Sequence, residues 1–342
     1  MRRLRIAHCG VRRRRTGLAL LLGALVALGL LAAPGAGAQQ PGKVHRIGFL
    51  SARAGPTDTS QAFLQGLREL GYIEGQHFVM EYRWAAGRSE RLPALAAELV
   101  QTGVDLIVTA GTPATMAAKE ATRTIPVVFG SAGSPEEKHL VASLAQPGGN
   151  VTGLALHVTS AKHLQVLKEA VPALSRVGLL YDPATTAPEA YRRAFLAGLE
   201  IDARALGLRT QPIILSGPAE VERAFSEVRK SGVQGLLVDN ASPILLARER
   251  TCALAKQLRL PAVGQGREFA DAGCLLSYGE NLVDMYRRAA TFVDRILRGA
   301  RPAELPVEQP VKFELVINLG TARALGLTIP KSLLTQADEL IR

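Results

Sequence analysis

From residue 46 onward the hydrophobic positions alternate between two periods. Arg46-Ile47-Gly48-Phe49-Leu50 is a short apolar run of the kind found in a strand buried on both faces. Residues 60–70 follow with Phe63, Leu64, Leu67 and Leu70 at helical spacing, and Gly71 closes the segment. The same alternation predicts strands over 77–82, 105–109, 126–129 and 151–156, and helices over 89–101, 113–122 and 135–145. Strands separated by helices of about 10 to 15 residues are βαβ units, which build a parallel sheet.

The pattern then begins again. Arg46-Ile47-Gly48-Phe49-Leu50-Ser51 is answered by Arg176-Val177-Gly178-Leu179-Leu180-Tyr181, an offset of 130 residues. At the same offset Leu106-Ile107-Val108 with Thr112-Pro113 is answered by Leu236-Leu237-Val238 with Ser242-Pro243. Ile125-Pro126-Val127-Val128 is answered by Leu260-Pro261-Ala262-Val263, at an offset of 135. Three matches in one order at nearly one spacing predict two lobes of similar topology.

In an open α/β sheet, ligands bind beyond the carboxyl ends of the strands. That rule directs attention to the residues after each apolar run. Thr112 precedes Pro113, and proline suits the first helical position, so Thr112 is the expected N-cap of a helix whose free N–H groups could hold an anion. The competing reading is a hydroxyl that only caps its own helix. Gly111, Ser131, Ala132 and Ser134 occupy neighbouring strand ends, with Ser134-Pro135 repeating the cap-and-proline device. Ser51 ends the first strand, ahead of Asp58, Thr59 and Ser60 as rival caps. In the second lobe Asp182, Asn240, Ser242 and Glu268 take the corresponding places, and Tyr278 lies where the chain is expected to pass between lobes. Arg267 and Glu268 could meet a ligand or pair in solvent, and Tyr278 could equally pack between lobes.

Composition narrows the function. The 342 residues are 47% hydrophobic and 21% charged, enough for a large core and about two domains. Residues 1–38 stand apart: Arg2, Arg3, Arg5 and Arg12 to Arg15, an uncharged run from Thr16 to Leu31, then Ala36-Gly37-Ala38. That is the pattern of a cleaved secretory signal peptide, with a retained membrane helix as the alternative. Seven of the 41 basic residues fall in this segment and none of the 30 acidic ones, so the net charge drops from +11 to +4 without it. Nothing in that balance calls for nucleic acid. Cys252 and Cys274 are the cysteines of the remaining chain, 22 residues apart and without a C-x-x-C partner. Two buried thiols are the expected state, one disulfide the alternative.

Catalytic and cofactor motifs are missing or broken. His45, His77, His139, His157 and His163 match no metal spacing, and no G-x-S-x-G elbow occurs. Gly37 to Lys43 fits part of a phosphate loop, but Val44 follows where Ser or Thr is needed, and Gly264-Gln265-Gly266 starts a dinucleotide fingerprint that fails at Phe269. No nucleophile stands with a base. A site built to bind, without cofactor or metal, is the expectation.

The order of "RIGFLSA", "FLQGLRELGYIEGQ", "EYRWAAGRSERLPALAAELV", "DLIVTAGTPAT", "IPVVFG", "QPGGNVTG", "REFADAGCLLSYG" and "LPVEQPVKFELVINLGTARALGLTIP" resembles the ABC-transporter substrate-binding protein family that includes tryptophan-binding proteins. The resemblance runs from about residue 44 to the C-terminus. It implies an α/β fold of the type I periplasmic-binding-protein kind: two doubly wound parallel-sheet lobes of similar topology, joined by a hinge of three crossing strands. The lobes implied are 44–157 plus 280–342 and 158–279, with crossings near His157–Ser160, Tyr278–Leu282 and within 306–318. Ligand contacts at Gly111-Thr112-Pro113 and Ser131 transfer only as positions. Gly130–Ser134 departs from the acidic residue that many relatives carry before the proline, which leaves the ligand's charge preference open. The implied role is a periplasmic monomer that delivers a small molecule to inner-membrane permease subunits, and the two opposed helix N-termini favour an amino acid or small carboxylate as that molecule. A ligand sensor presenting to a membrane receptor or kinase is the alternative.

Overall fold

The computed structural model describes residues 43–136, 138–157, 160–184 and 189–342. The arginine-rich segment and the cleavage motif lie outside them.

The first sheet contains β1 (His45–Ser51), β2 (Phe78–Trp84), β3 (Leu106–Ala110), β4 (Val127–Gly133) and β5 (Val151–Leu156), parallel throughout in the order β2-β1-β3-β4-β5. Between them run α1 (Asp58–Glu69), α2 (Leu92–Thr102) and α3 (Thr112–Ala121). Successive residues of β1 serve opposite faces. Ile47 and Phe49 pack with Phe63 and Leu67 of α1, while Leu50 packs with Leu92 and Leu99 of α2. Burial on both faces explains why the central strands read as unbroken apolar runs.

The second sheet repeats the first. Its strands β6 (Arg176–Tyr181), β7 (Arg209–Ile214), β8 (Gly235–Val238), β9 (Ala262–Gly264) and β10 (Leu276–Glu280) are parallel in the order β7-β6-β8-β9-β10. The internal repeat in the sequence is therefore a repeat of topology. Pro212 lies in β7, an edge strand, where a missing N–H is tolerated. The helices of this half are α4 (Ser160–Ala170), α5 (Glu189–Ala205), α6 (Val221–Ser231), α7 (Ser242–Leu246), α8 (Arg248–Gln257) and α9 (Arg267–Asp271).

The last segment serves both halves. After β10 the helix α10 (Leu282–Leu297) packs on α1 and β4, and Glu308 bridges to Leu154 of β5. The chain then returns as β11 (Phe313–Asn318), antiparallel to β10, followed by α11 (Leu319–Leu325), α12 (Lys331–Gln336) and β12 (Glu339–Ile341), which extends the second sheet. Residues 313–341 thus lie with the second lobe rather than the first, because the edge of β10 offers β11 a ladder of backbone partners. Two of the crossings are tied together: the His157 N–H donates to Glu280 Oε1 at 2.8 Å.

Three local expectations fail. The cap of α1 is Thr57, in a capping box with Ser60, rather than Asp58, Thr59 or Ser60. The described residues of 135–145 do not form a regular helix; Ser134 and His139 adopt φ of 45° and 54°, and turns close through Lys138 N to Ser134 O and Leu140 N to Pro135 O. Leu140 and Val141 are instead anchored in the first core. Cys252 and Cys274 form a disulfide with Cα atoms 4.8 Å apart, not two thiols. The bond joins α8 to the segment just before β10, a meeting that sequence separation could not show.

Candidate ligand-binding cleft

A cavity of about 170 Å³ lies where the carboxyl ends of both sheets face each other. From the first lobe come Ser51 ending β1, Ala110 ending β3 with Gly111 to Pro113 after it, Ser131 and Gly133 at the end of β4, and Leu156 ending β5. Arg53, Thr57 and Thr59 reach in from the loop before α1, and Lys138 from the turns after β4. The second lobe supplies Tyr191 and Phe195 from α5, Asp239 to Ala241 after β8, and Gln265 after β9. Leu282 and Tyr286 of α10 close the remaining side.

The Gly111–Thr112 junction is built differently from its expected form. Gly111 is the N-cap, with φ 87° and ψ 158°, a conformation that favours glycine. Thr112 is therefore the first helical residue and Pro113 the second, and no side chain caps the helix. Positive φ at Gly111 starts the helix one residue early. The Thr112 hydroxyl oxygen accepts the Gly133 N–H at 3.0 Å, which stitches the ends of β3 and β4 together. Beneath them, Thr115 donates to Gly111 O and shares a 2.8 Å hydrogen bond with Thr109.

Of the residues singled out by sequence, Ser51, Gly111, Thr112, Pro113, Ser131 and Asn240 line this cavity. Ala132 is buried in the first core instead. Ser134 shares a 3.0 Å hydrogen bond with Tyr191 across the cleft, and Glu268 faces Arg53 at 3.6 Å, again across the cleft. Asp182 accepts the Ala184 N–H and borders a second cavity of about 580 Å³, which shares Thr112, Pro113 and Lys138 with the first. Ser242 opens the five-residue α7, whose N-cap is Ala241, so the capping device expected to mirror Thr112 is not formed. Tyr278 stacks on Phe313 at 5.9 Å within the second lobe and meets His163 edge-on, away from the cavity.

Sequence reading missed Arg53, Tyr191, Phe195 and Tyr286 altogether. Asp239 and Gln265 stood at strand ends and could have been chosen on that ground. Tyr191, Phe195 and Tyr286 sit on helices with ordinary amphipathic spacing, which carries no sign that one turn faces a cleft.

Two of the described cavity-lining groups, Asp239 and Tyr286, have displaced titrations. The exposed part of Asp239 faces the cavity, and burial there pushes its carboxyl up to about 6. The nearby Asp182 adds to the rise, while the Asn240 N–H, donating at 2.8 Å, and Lys138 oppose it. Burial pushes the Tyr286 phenol up to about 12, against the influence of Ser131, Arg53 and the Gly111 amide. The Asn240 Oδ1 atom is buried without a hydrogen-bond partner among the described residues. No cluster of three or more His, Cys, Asp or Glu among the described residues could hold a metal ion.

Residues 49–341 match the ABC transporter substrate binding protein family. The chain belongs to that family. As a substrate-binding protein it takes up a small molecule for an ABC transporter and is not an enzyme. It is 25% identical over 268 residues to a tyrosine-binding protein of Clostridioides difficile strain R20291, covering 78% of this chain and 76% of that one. Among solved structures, an ABC domain in complex with L-Trp from Streptococcus pneumonia superposes with a TM-score of 0.81 at 25% identity, covering 87% of this substrate-binding protein and all of the other. A conserved domain protein from Vibrio cholerae O1 biovar El Tor gives the same TM-score at 28% identity and the same coverage.

Proposed function

We propose that the protein is exported, captures an α-amino acid between its lobes and delivers it to an ABC import permease. The observation that carries this reading is the two-sided polarity of the cavity. On the first lobe stand the hydroxyls of Ser51, Ser131 and Thr112, the Arg53 guanidinium and the open first turn of α3, a set of donors suited to a carboxylate. On the second lobe stand the Asp239 carboxylate and the unpartnered Asn240 Oδ1, acceptors suited to an ammonium group. Tyr191, Phe195, Leu156 and Leu282 offer apolar surface between them. Relatives named for tyrosine and solved with L-Trp support an amino acid with a large side chain.

Hydrogen bonds to charged groups contribute about 1.5 to 3 kcal/mol each. Removing either charged end of the ligand should therefore weaken binding by at least about tenfold. The test is calorimetry on protein unfolded and refolded to strip any retained solute, with L-tyrosine, L-tryptophan, tyramine and 3-(4-hydroxyphenyl)propionate. Equal affinity for tyrosine and either truncated analogue would overturn the reading. Export is read from the N-terminus of protein taken from the cell envelope, expected at Gln39.

A further inference from the structure

We propose that Tyr286 fixes Ser131 as a hydrogen-bond donor into the cleft, so that this corner of the cavity accepts only a group presenting an acceptor oxygen. The inference rests on the reading of the cavity as an amino-acid site, and it assigns the ligand carboxylate to Ser131.

Tyr286 belongs to α10, yet its ring passes under the end of β4 and forms part of the cavity wall. Gly130 makes the passage possible: a Cβ there would lie 2.4 Å from the ring. The phenol and the Ser131 hydroxyl share a 2.9 Å hydrogen bond, and both residues are buried. Such a pair can be oriented in either sense. Chemistry favours one, because a phenol is the stronger acid and, with its lone pair drawn into the ring, the weaker acceptor. The positive field of Arg53 and the Gly111 amide next to the phenol oxygen bias it the same way. Tyr286 therefore donates and Ser131 accepts.

The Ser131 O–H is then left over. It has no second partner among the described residues, and the residue lines the cavity. A donor held in that position is satisfied by a carboxylate oxygen and left unpaired by a ligand that has no acceptor there, such as an amine lacking the carboxyl group. Tyr286 is thus a positioning residue that sets the ligand preference through Ser131.

One measurement needs no ligand. The Raman tyrosine doublet, taken as the difference between the ligand-free protein and its Tyr286→Phe variant, distinguishes a donating from an accepting phenol. A donor signature is expected, and an acceptor signature overturns the proposal whatever the solute proves to be. The second measurement is calorimetry with L-tyrosine and tyramine as probes. Ser131→Ala should weaken tyrosine binding by about 10- to 100-fold, and Tyr286→Phe by about 3- to 10-fold, while tyramine, which has no carboxyl to meet Ser131, changes by less than about twofold. Ser131→Thr, which keeps the hydroxyl, should restore most of the acid preference. Because Tyr286 acts through Ser131, the double variant should bind no worse than Ser131→Ala alone; additive losses would refute the relay. If neither probe binds the unaltered protein, the amino-acid reading fails for tyrosine, and the Raman difference still decides the orientation of the pair.

Discussion

Asp239 is held in the folded protein at a cost, and removing its charge should make the ligand-free protein more stable. Burial displaces its carboxyl from the ordinary 3.8 to about 6. Because the folded pKa is raised, the carboxyl's contribution to stability is complete below about pH 4, where both states are protonated, and is lost as pH rises through about 6. A rise of about two units is worth about 3 kcal/mol at pH 7.5, or about 2 to 3 kcal/mol after allowing for water in the cavity. Lys138 and the Asn240 N–H already oppose the rise and are included in it. Asp239→Asn keeps the shape and the acceptor oxygen for the 2.8 Å bond from Asn240. Urea unfolding should therefore show the variant more stable by about 2 to 3 kcal/mol at pH 7.5, narrowing to about 1 kcal/mol at pH 4.5. Calorimetry should show the opposite effect on function, with L-tyrosine bound about 10- to 100-fold more weakly. A variant no more stable than the original at pH 7.5 would mean that the carboxylate is fully compensated in the empty cleft, and the reasoning would fail.

Reducing the Cys252–Cys274 bond opens a loop closed over 22 residues and should cost about 3 kcal/mol, checked by chemical denaturation of oxidised and reduced protein alongside a thiol count. Thr112→Ala should lose about 1 to 2 kcal/mol, since the Gly133 N–H that Thr112 accepts at 3.0 Å would be left without its partner. Thr112→Ser should recover most of that loss, and a serine variant as unstable as the alanine one would show that the stitch between β3 and β4 contributes nothing.

Much of this architecture was written along the chain. Strands such as Ile47–Leu50 and Leu106–Val108 are apolar because both their faces are covered, and that necessity produces the runs that betray them. The 130-residue repeat announced two halves, and the order β2-β1-β3-β4-β5 does recur as β7-β6-β8-β9-β10. Strand ends at Ser51, Thr112, Ser131 and Asn240 were legible as cavity residues because a parallel sheet gathers its ligands at one edge.

Other features depended on distance in space. The sequence around Thr112 permits a cap at that residue, but the positive φ of Gly111 moved the helix start and gave the hydroxyl to Gly133. The 22-residue spacing of Cys252 and Cys274 fits either thiols or a bond, and only the docking of α8 beside β10 brought the sulfurs together. Phe313–Asn318 carries no mark of which lobe it serves; the free edge of β10 decided that. Tyr286 and Tyr191 belong to helices whose periodicity is satisfied by a core, so nothing local distinguishes a turn that faces a cleft. Local pattern records whether a residue is covered, since that is what hydrophobic periodicity responds to. It does not record what covers it, and in this protein the two walls of the cleft come from segments far apart in sequence, as with Ser51 and Asn240.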